Sequence, residues 1–274
     1  MRGLCFGELG GFLVGAILDA GLFPAVGEDG QEEYQQQQAA LDGLGDVAVG
    51  HAHERQAVDD DRYRQRAEDY LIELRAAPAR DEHAAEAITA KGRNPRSELL
   101  AKTAIEKITK FLPQAYDDGK NVEARYEMAL AANWAGIAFQ DTDCHLGHCM
   151  ADGISAKYHT PHGYNCIVVD PELMVECAKF VPDKVKIVGE AAGAKFDGTE
   201  DAAAIGKKTA DAIRALMRRV GIQSPKESGM AREDFIECAK MAMEIDYGLR
   251  LNCPFEPTLE NVSEIYAQAG SHAA

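Results

Sequence analysis

A long succession of helical segments, with no strands between them, is the feature that most constrains the fold of this chain. From about residue 83 onward, apolar residues recur at intervals of three and four, and start and stop signals separate one segment from the next. No segment in this part alternates apolar and polar residues over the length of a strand, and no longer period indicates an internal repeat. The fold class is therefore predicted to be mainly α, with an all-helical C-terminal domain.

The start of one helix is especially clear. Asn94 and Pro95 form an N-cap followed by proline at the first helical position, and apolar residues then follow at helical spacing. Residues 123–139 carry small and apolar residues on every side, which predicts the central helix of the domain. Further helices are predicted to start near Pro171 and to cover residues 183–193, 200–219, 232–244 and 258–268, the last with Thr258 as its N-cap.

Residues 1–78 have a different character. A glutamine run and an acidic triplet at Asp59 to Asp61 stand among scattered apolar residues without a sustained period, which predicts irregular structure apart from one helix over residues 62–75. Glu8 and Asp19 interrupt the first apolar stretch, which disfavours a secretory signal or a membrane span. We therefore divide the chain into a leader of unclear fold, residues 1–78, and a helical domain, residues 79–274.

Charge and cysteine content narrow the range of partners and compartments. The net charge of −16 disfavours nucleic acid and anionic membrane surfaces as partners, because both are recognised by clustered Lys and Arg. The seven cysteines contain no CxxC pair, a pattern typical of reduced thiols in the cytoplasm. The chain is therefore predicted to be cytoplasmic, with no nucleic-acid or membrane partner.

The stretch HCMADGISAKYHTPHG, residues 148–163, lies in a region rich in histidine. A helix over residues 144–157 would end at Thr160-Pro161 and allow a new helix to start at His162. Half of the eight histidines fall within eighteen residues here, namely His145, His148, His159 and His162. Imidazoles at His148 and His162 can then converge on a point between the two helices.

Two interpretations of this convergence remain open from the residues alone. Imidazoles from several elements can bind a divalent ion, and His83 is a third candidate ligand, with Glu86 three residues later. The alternative is that these are ordinary histidines satisfied by hydrogen bonds, and spacing alone favours it. A structural zinc site within residues 143–149 is disfavoured, because one helical turn cannot surround a tetrahedral ion.

The same stretch resembles the signature of a known family. AGIAF at 135–139 followed by HCMADGISAKYHTPHG is similar to the AGIAF helix and HxMAHxLGAxxxxPHG segment of the iron-containing (group III) alcohol dehydrogenases. ARDEHAAEAITAKGRNP at 79–95 is similar to the family's DALxHAxEAYxSxxANP segment. The resemblance covers about residues 79–270 and implies the helical metal-binding domain of that family.

The resemblance implies that His83, His148 and His162 are metal ligands. The family's fourth ligand, a carboxylate four residues before the first of these histidines, falls on Ala79. Asp81 is a nearby carboxylate, but its position two residues before His83 would direct it elsewhere on a helix. The implied metal site therefore departs from the family at one ligand.

Cofactor binding departs from the family in two further ways. Asp152 stands where the family has a histidine that approaches the nicotinamide, so the resemblance assigns Asp152 to cofactor binding. Residues 1–78 do not contain the family's GGGSxxDxxK-like loop, whose amides hold the pyrophosphate. The usual nucleotide-binding domain is therefore expected to be missing from a truncated enzyme.

The function implied by the resemblance is metal-dependent hydride transfer between NAD or NADP and a small alcohol or aldehyde. The expected ion is Fe²⁺, with Zn²⁺ as the alternative, and no side chain is assigned as a catalytic acid or base. A homo-oligomer is compatible with this function. The alternatives are a non-catalytic helical metal-binding fragment or interaction module, and a hydrolase that uses the same imidazoles around bound water.

Overall fold

The computed structural model describes residues 79–222, 234–245 and 247–270. Within these residues the protein is helical and contains no strand, so the predicted all-helical domain is confirmed over this part of the chain. The predicted helix over residues 62–75 and the rest of the leader lie outside the described residues. The described helices are α1 (Ala79–Thr89), α2 (Pro95–Asp117), α3 (Val122–Thr142), α4 (Leu146–Tyr158), α5 (His162–Ala178), α6 (Pro182–Ala191), α7 (Ala202–Arg219), α8 (Phe235–Glu244), α9 (Tyr247–Asn252) and α10 (Leu259–Ala269).

Helix starts follow the predicted local chemistry. The Asn94 side chain accepts hydrogen bonds from the backbone N–H groups of Arg96 and Ser97, and the Ser97 hydroxyl accepts one from the Asn94 N–H. Thr258 and Asn261 form the same reciprocal pair at the start of α10. These side chains satisfy amides that have no partner inside the helix, and both predicted N-caps are confirmed.

The central helix of the described domain is α5, and the prediction that residues 123–139 form it is wrong. Helix α5 packs against α1, α4, α6, α7 and α10. Helix α3 buries one face, which includes Met128 and Ala135, while Tyr126 and Ile137 on its other side are exposed among the described residues. Alanine on every side of a helix permits close packing all round but does not require it.

Helix α5 also corrects the prediction of a helix start near Pro171. The helix beginning at His162 continues through this proline, although proline lacks the N–H that would bond the carbonyl of Ile167. An interior proline costs about 3 kcal/mol, and each buried Leu or Met side chain contributes about 1.5–3 kcal/mol. Leu173 and Met174, both fully buried after the proline, offset its cost.

The remaining predicted helices agree with the described ones to within a few residues at either end, whereas α1 and the six-residue helix α9 were not predicted individually. Gly221, just after the end of α7, has a φ of 70°, a conformation that glycine adopts without strain. No helix in the described ranges combines the length and the apolar character that spanning a membrane requires.

Candidate metal centre

The connection between α4 and α5 is a rigid turn that places His162. His159 ends α4 in the left-handed conformation, with a φ of 54°, and its N–H donates to the Ser155 carbonyl at 2.9 Å. Asn165 then joins the two helices, because its side-chain amide donates to the Ser155 hydroxyl at 2.8 Å and its carbonyl oxygen accepts from the Thr160 hydroxyl at 2.7 Å. The predicted stop before Pro161 and the new start at His162 are both present.

Three imidazoles meet around His148. His83 Nε2 lies 3.1 Å from His148 Nε2, and the two rings meet edge to face. The ring of His162 lies 5.4 Å from that of His148, centroid to centroid. The side chains of His83, His148 and His162, called here the imidazole cluster, thus come from α1, α4 and α5. The structure brings together the three histidines singled out from the sequence.

The other two histidines of the region lie apart from the cluster. His145 is buried, and its Nε2 lies 2.8 Å from the Thr89 hydroxyl. His159 is exposed at the end of α4. The four histidines that are close in sequence therefore occupy three different environments, and only His148 and His162 share one.

Carboxylates hold two of the imidazoles by the nitrogen that faces away from the cluster. Glu86 Oε2 lies 2.7 Å from His148 Nδ1, and Asp152 Oδ1 lies 2.9 Å from His162 Nδ1. A carboxylate on Nδ1 favours the tautomer that carries its proton there and leaves the Nε2 lone pair available for a metal. Both histidines therefore have the outer contacts that metal-ligating histidines use.

Glu86 is a functional residue whose role sequence reasoning did not define. Its carboxylate also accepts hydrogen bonds from the backbone N–H groups of His145, at 2.9 Å, and Gly147, at 2.6 Å, at the start of α4. Burial alone would raise the pKa of Glu86, but His145 and His148 together lower it well below its usual range. The signal in the sequence is its position three residues after His83, on the same side of α1.

Glu82 is a second buried carboxylate that the sequence analysis missed. Its Oε1 lies 3.2 Å from His148 Nδ1, and neither carboxylate oxygen makes a hydrogen bond to the described residues. Burial, and then the charge of Glu86, raises the pKa of Glu82. Glu82 is therefore a buried acceptor beside His148 whose hydrogen-bonding capacity the described residues do not use.

The donors of the imidazole cluster fit a divalent transition ion. Two metal–nitrogen bonds of about 2.0–2.1 Å at a tetrahedral angle separate the nitrogens by about 3.3 Å. The observed separation between His83 and His148 is 3.1 Å. The fit to the family's expected ligand set is incomplete, because Ala79 offers no ligand atom and the side chain of Asp81 lies outside the described residues.

Comparisons with known proteins agree with this arrangement. Residues 82–270 match the model of the Fe-containing alcohol dehydrogenase family, C-terminal. The chain is 33% identical over 190 residues to 1,3-propanediol dehydrogenase of Citrobacter freundii, covering 68% of this chain and 48% of that protein. It is 32% identical over 191 residues to alcohol dehydrogenase 4 of Saccharomyces cerevisiae, covering 68% and 47%.

Solved structures give the same result. The crystal structure of a 1,3-propanediol oxidoreductase matches with a TM-score of 0.65 at 30% identity, over 69% of this chain and 49% of that one. An alcohol dehydrogenase from Oenococcus oeni matches with a TM-score of 0.66 at 27% identity, over 71% and 51%. The chain thus spans about half the length of the relatives it matches. It belongs to the Fe-containing alcohol dehydrogenase family, whose C-terminal region its residues 82–270 match.

Proposed function

We propose that this chain is the metal-binding part of an NAD(P)-dependent alcohol dehydrogenase, with His83, His148 and His162 as ligands of a divalent ion. The observation that carries the proposal is the meeting of these imidazoles from three helices, two of them held by carboxylates on Nδ1. The ion is Fe²⁺, with Zn²⁺ as the alternative. When bound, it supplies a Lewis acid for the oxygen of an alcohol or aldehyde.

The side chains around the cluster divide it into a closed side and an open side. His148 and Glu86 are buried, whereas the side chains of His162 and Asp152 are each 44% exposed. A small substrate would therefore enter from the side of His162. Glu86 holds the His148 imidazole on the closed side. Asp152 holds the His162 imidazole on the open side, where substrate and cofactor would arrive.

Asp152 is proposed to have two roles. Its carboxylate orients the His162 imidazole at 2.9 Å, and its exposed part would face the nicotinamide, where the family has a histidine. An ionised carboxylate at that point attracts the positive charge of an oxidised nicotinamide ring, and that charge disappears on hydride transfer. The change from histidine to aspartate is therefore expected to favour binding of the oxidised cofactor.

The proposal also includes the partner of the chain and its cellular compartment. A small alcohol or aldehyde, rather than nucleic acid or membrane, suits a chain with a net charge of −16. A cytoplasmic location and a homo-oligomer remain predictions. The rival function is a helical domain that binds metal without catalysis, because the leader carries no recognisable pyrophosphate loop.

The test uses the full chain loaded with Fe²⁺ or Zn²⁺ under anaerobic conditions. We expect calorimetry to detect NAD(H) or NADP(H) binding, and we expect NAD(P)⁺ reduction with primary alcohols to disappear after chelation and in H148A. His159→Asn is the matched control, because this histidine is exposed and asparagine tolerates its left-handed backbone. Metal binding with no cofactor binding up to millimolar concentrations would favour the non-catalytic domain.

A further inference from the structure

Two buried thiols border the imidazole cluster. Cys144 Sγ lies 3.4 Å from His148 Nε2, and Cys166 Sγ lies 3.4 Å from His162 Nε2. In each pair the cysteine and the histidine are four residues apart, a spacing of about one helical turn. The two pairs come from successive segments, the start of α4 and the first turns of α5.

Each thiol forms a compact set with two histidines. The ligand atoms of Cys144, His83 and His148 lie within 4.8 Å of one another, and so do those of Cys166, His148 and His162. His148 is common to both sets. A cation held at His148 Nε2 therefore has thiol sulfur among its nearest neighbours.

The separations match those of ligands on one ion. A metal–sulfur bond of about 2.3 Å and a metal–nitrogen bond of about 2.0–2.1 Å at a tetrahedral angle place sulfur and nitrogen about 3.5 Å apart. Both observed sulfur–nitrogen separations are 3.4 Å. The position of the family's carboxylate ligand is Ala79 in this chain, so a thiolate can take the place that the carboxylate leaves open.

We propose that this chain binds its metal ion through sulfur as well as nitrogen, with the thiolate of Cys144 or of Cys166 as the fourth ligand beside the imidazole cluster. Soft thiolate ligands favour Zn²⁺, whereas carboxylates favour harder ions, so a sulfur ligand would reverse the order given above and make Zn²⁺ preferred over Fe²⁺. The metal–sulfur bond forms as the thiol proton leaves to the solvent. The inference rests on the proposed function, because it takes the same cluster to be a metal site.

Cobalt(II) absorbance tests the proposal without measuring activity. Tetrahedral Co²⁺ bound by thiolate has a sulfur-to-metal charge-transfer band in the near ultraviolet, which nitrogen and oxygen ligands do not give. When the chelator-treated full chain is titrated with Co²⁺, we expect this band in the wild type, its loss in whichever of C144S and C166S removes the sulfur ligand, and its loss in C144S/C166S. Cys149→Ser is the matched control, because this buried cysteine of α4 belongs to neither set and should keep the full band.

The outcomes separate this proposal from the function it rests on. Co²⁺ binding detected by calorimetry without a charge-transfer band would overturn sulfur ligation and leave the histidine site standing. No Co²⁺ binding at all would overturn both. A full band in the double variant, or an equal loss in C149S, would overturn the assignment to Cys144 or Cys166.

Folding and metal preference are checked in parallel. Circular dichroism accompanies each titration, and the single variants decide the assignment if the double variant does not fold, since an unchanged band in either one removes that cysteine as a ligand. Competition between Zn²⁺ and Fe²⁺ should favour Zn²⁺ in the wild type and less so in the single variant that loses the band. An unchanged ratio in both variants would overturn the zinc preference.

Discussion

Glu86 connects His148 to the helix that carries it. One oxygen of the carboxylate lies 2.7 Å from His148 Nδ1, and the other accepts a hydrogen bond from the backbone N–H of Gly147 at 2.6 Å. Because the same buried group positions the start of α4 and the imidazole on its first turn, the orientation of His148 is fixed by the packing of α1 against α4.

Glu86→Gln should therefore weaken metal binding. The neutral amide keeps one oxygen acceptor and loses the charge that favours the required tautomer, so metal affinity is expected to fall about 10–100-fold. Zn²⁺ affinity, measured by competition with a chelating dye, checks this. Asp141→Asn, which affects a surface pair with Arg96, should leave the affinity unchanged. Equal affinities in both variants would remove Glu86 from the support of His148.

His145 links the same carboxylate to the stability of the fold. Its Nδ1 lies 2.9 Å from Glu86 Oε1, and the side chain is fully buried. Burial alone would lower the pKa of His145. The charge of Glu86, and to a lesser extent the hydrogen bond with Cys253, outweigh burial and raise this pKa to about 10. The folded protein therefore binds a proton at His145 more tightly than the unfolded chain, whose histidines titrate near 6.5.

This difference predicts that stability decreases as the solution becomes alkaline. The stabilisation from protonated His145 is fully present below pH 6.5 and is lost as the pH rises toward about 10. Urea unfolding in the presence of chelator, at several pH values in this window, measures the slope. His145→Gln lowers the free energy of unfolding at every pH. It should also make this free energy depend less steeply on pH below pH 8.5, where thiol titration contributes little. An unchanged slope in this variant would contradict the prediction.

Local chemistry made part of the domain predictable. The caps at Asn94 and Thr258, and the start of α5 at His162 after Pro161, depend on neighbouring residues and could be located from the sequence. The continuation of α5 through Pro171 could not, because it depends on side chains buried against five other helices. The choice of α5 rather than α3 as the central helix depends on the same tertiary packing.

The candidate site, like the fold, could be predicted only in part from neighbouring residues. Cys144 and His148 stand one helical turn apart, and the sequence predicted that His162 converges on His148 but did not single out Cys166 beside it. The structure supplies His162 and Cys166 from the next helix, which removes the objection that one turn cannot surround an ion. Glu82 was missed because its burial against His148 follows from the packing of α1 and not from a spacing.

The buried thiols should resist alkylation in the folded protein. All six described cysteines are buried, and burial raises the pKa of Cys144 and Cys149 to about 12 and that of Cys238 to about 11. Since the thiolate is the reactive form, iodoacetamide at pH 8 should label these positions slowly until urea unfolds the chain. Peptide mass spectrometry measures each site. Rapid native labelling of Cys238 would contradict the packing of α8 on α4. Cys5 lies outside the described residues.

The contact between α4 and α8 depends on a glycine. A Cβ atom at Gly153 would lie 2.6 Å from the Cys238 carbonyl oxygen and 2.9 Å from Tyr266 Oη. The Tyr266 hydroxyl is itself held by a hydrogen bond to the Met150 carbonyl at 2.6 Å, so it cannot move away freely. Helix α4 therefore carries His148 on one turn and a close backbone approach to α8 on the next.

Gly153→Ala should therefore destabilise the protein by about 1–3 kcal/mol, because the added methyl group forces two packed helices apart. Gly136→Ala is the matched control, since no described atom lies within 4 Å of a Cβ built in the middle of α3. There alanine should stabilise the helix by about 0.5–1 kcal/mol. Urea midpoints of the two variants, which differ from the wild type by the same methyl group, should shift in opposite directions. Stabilisation by Gly153→Ala would mean that helix propensity outweighs the close contact, and that α4 and α8 can separate without loss.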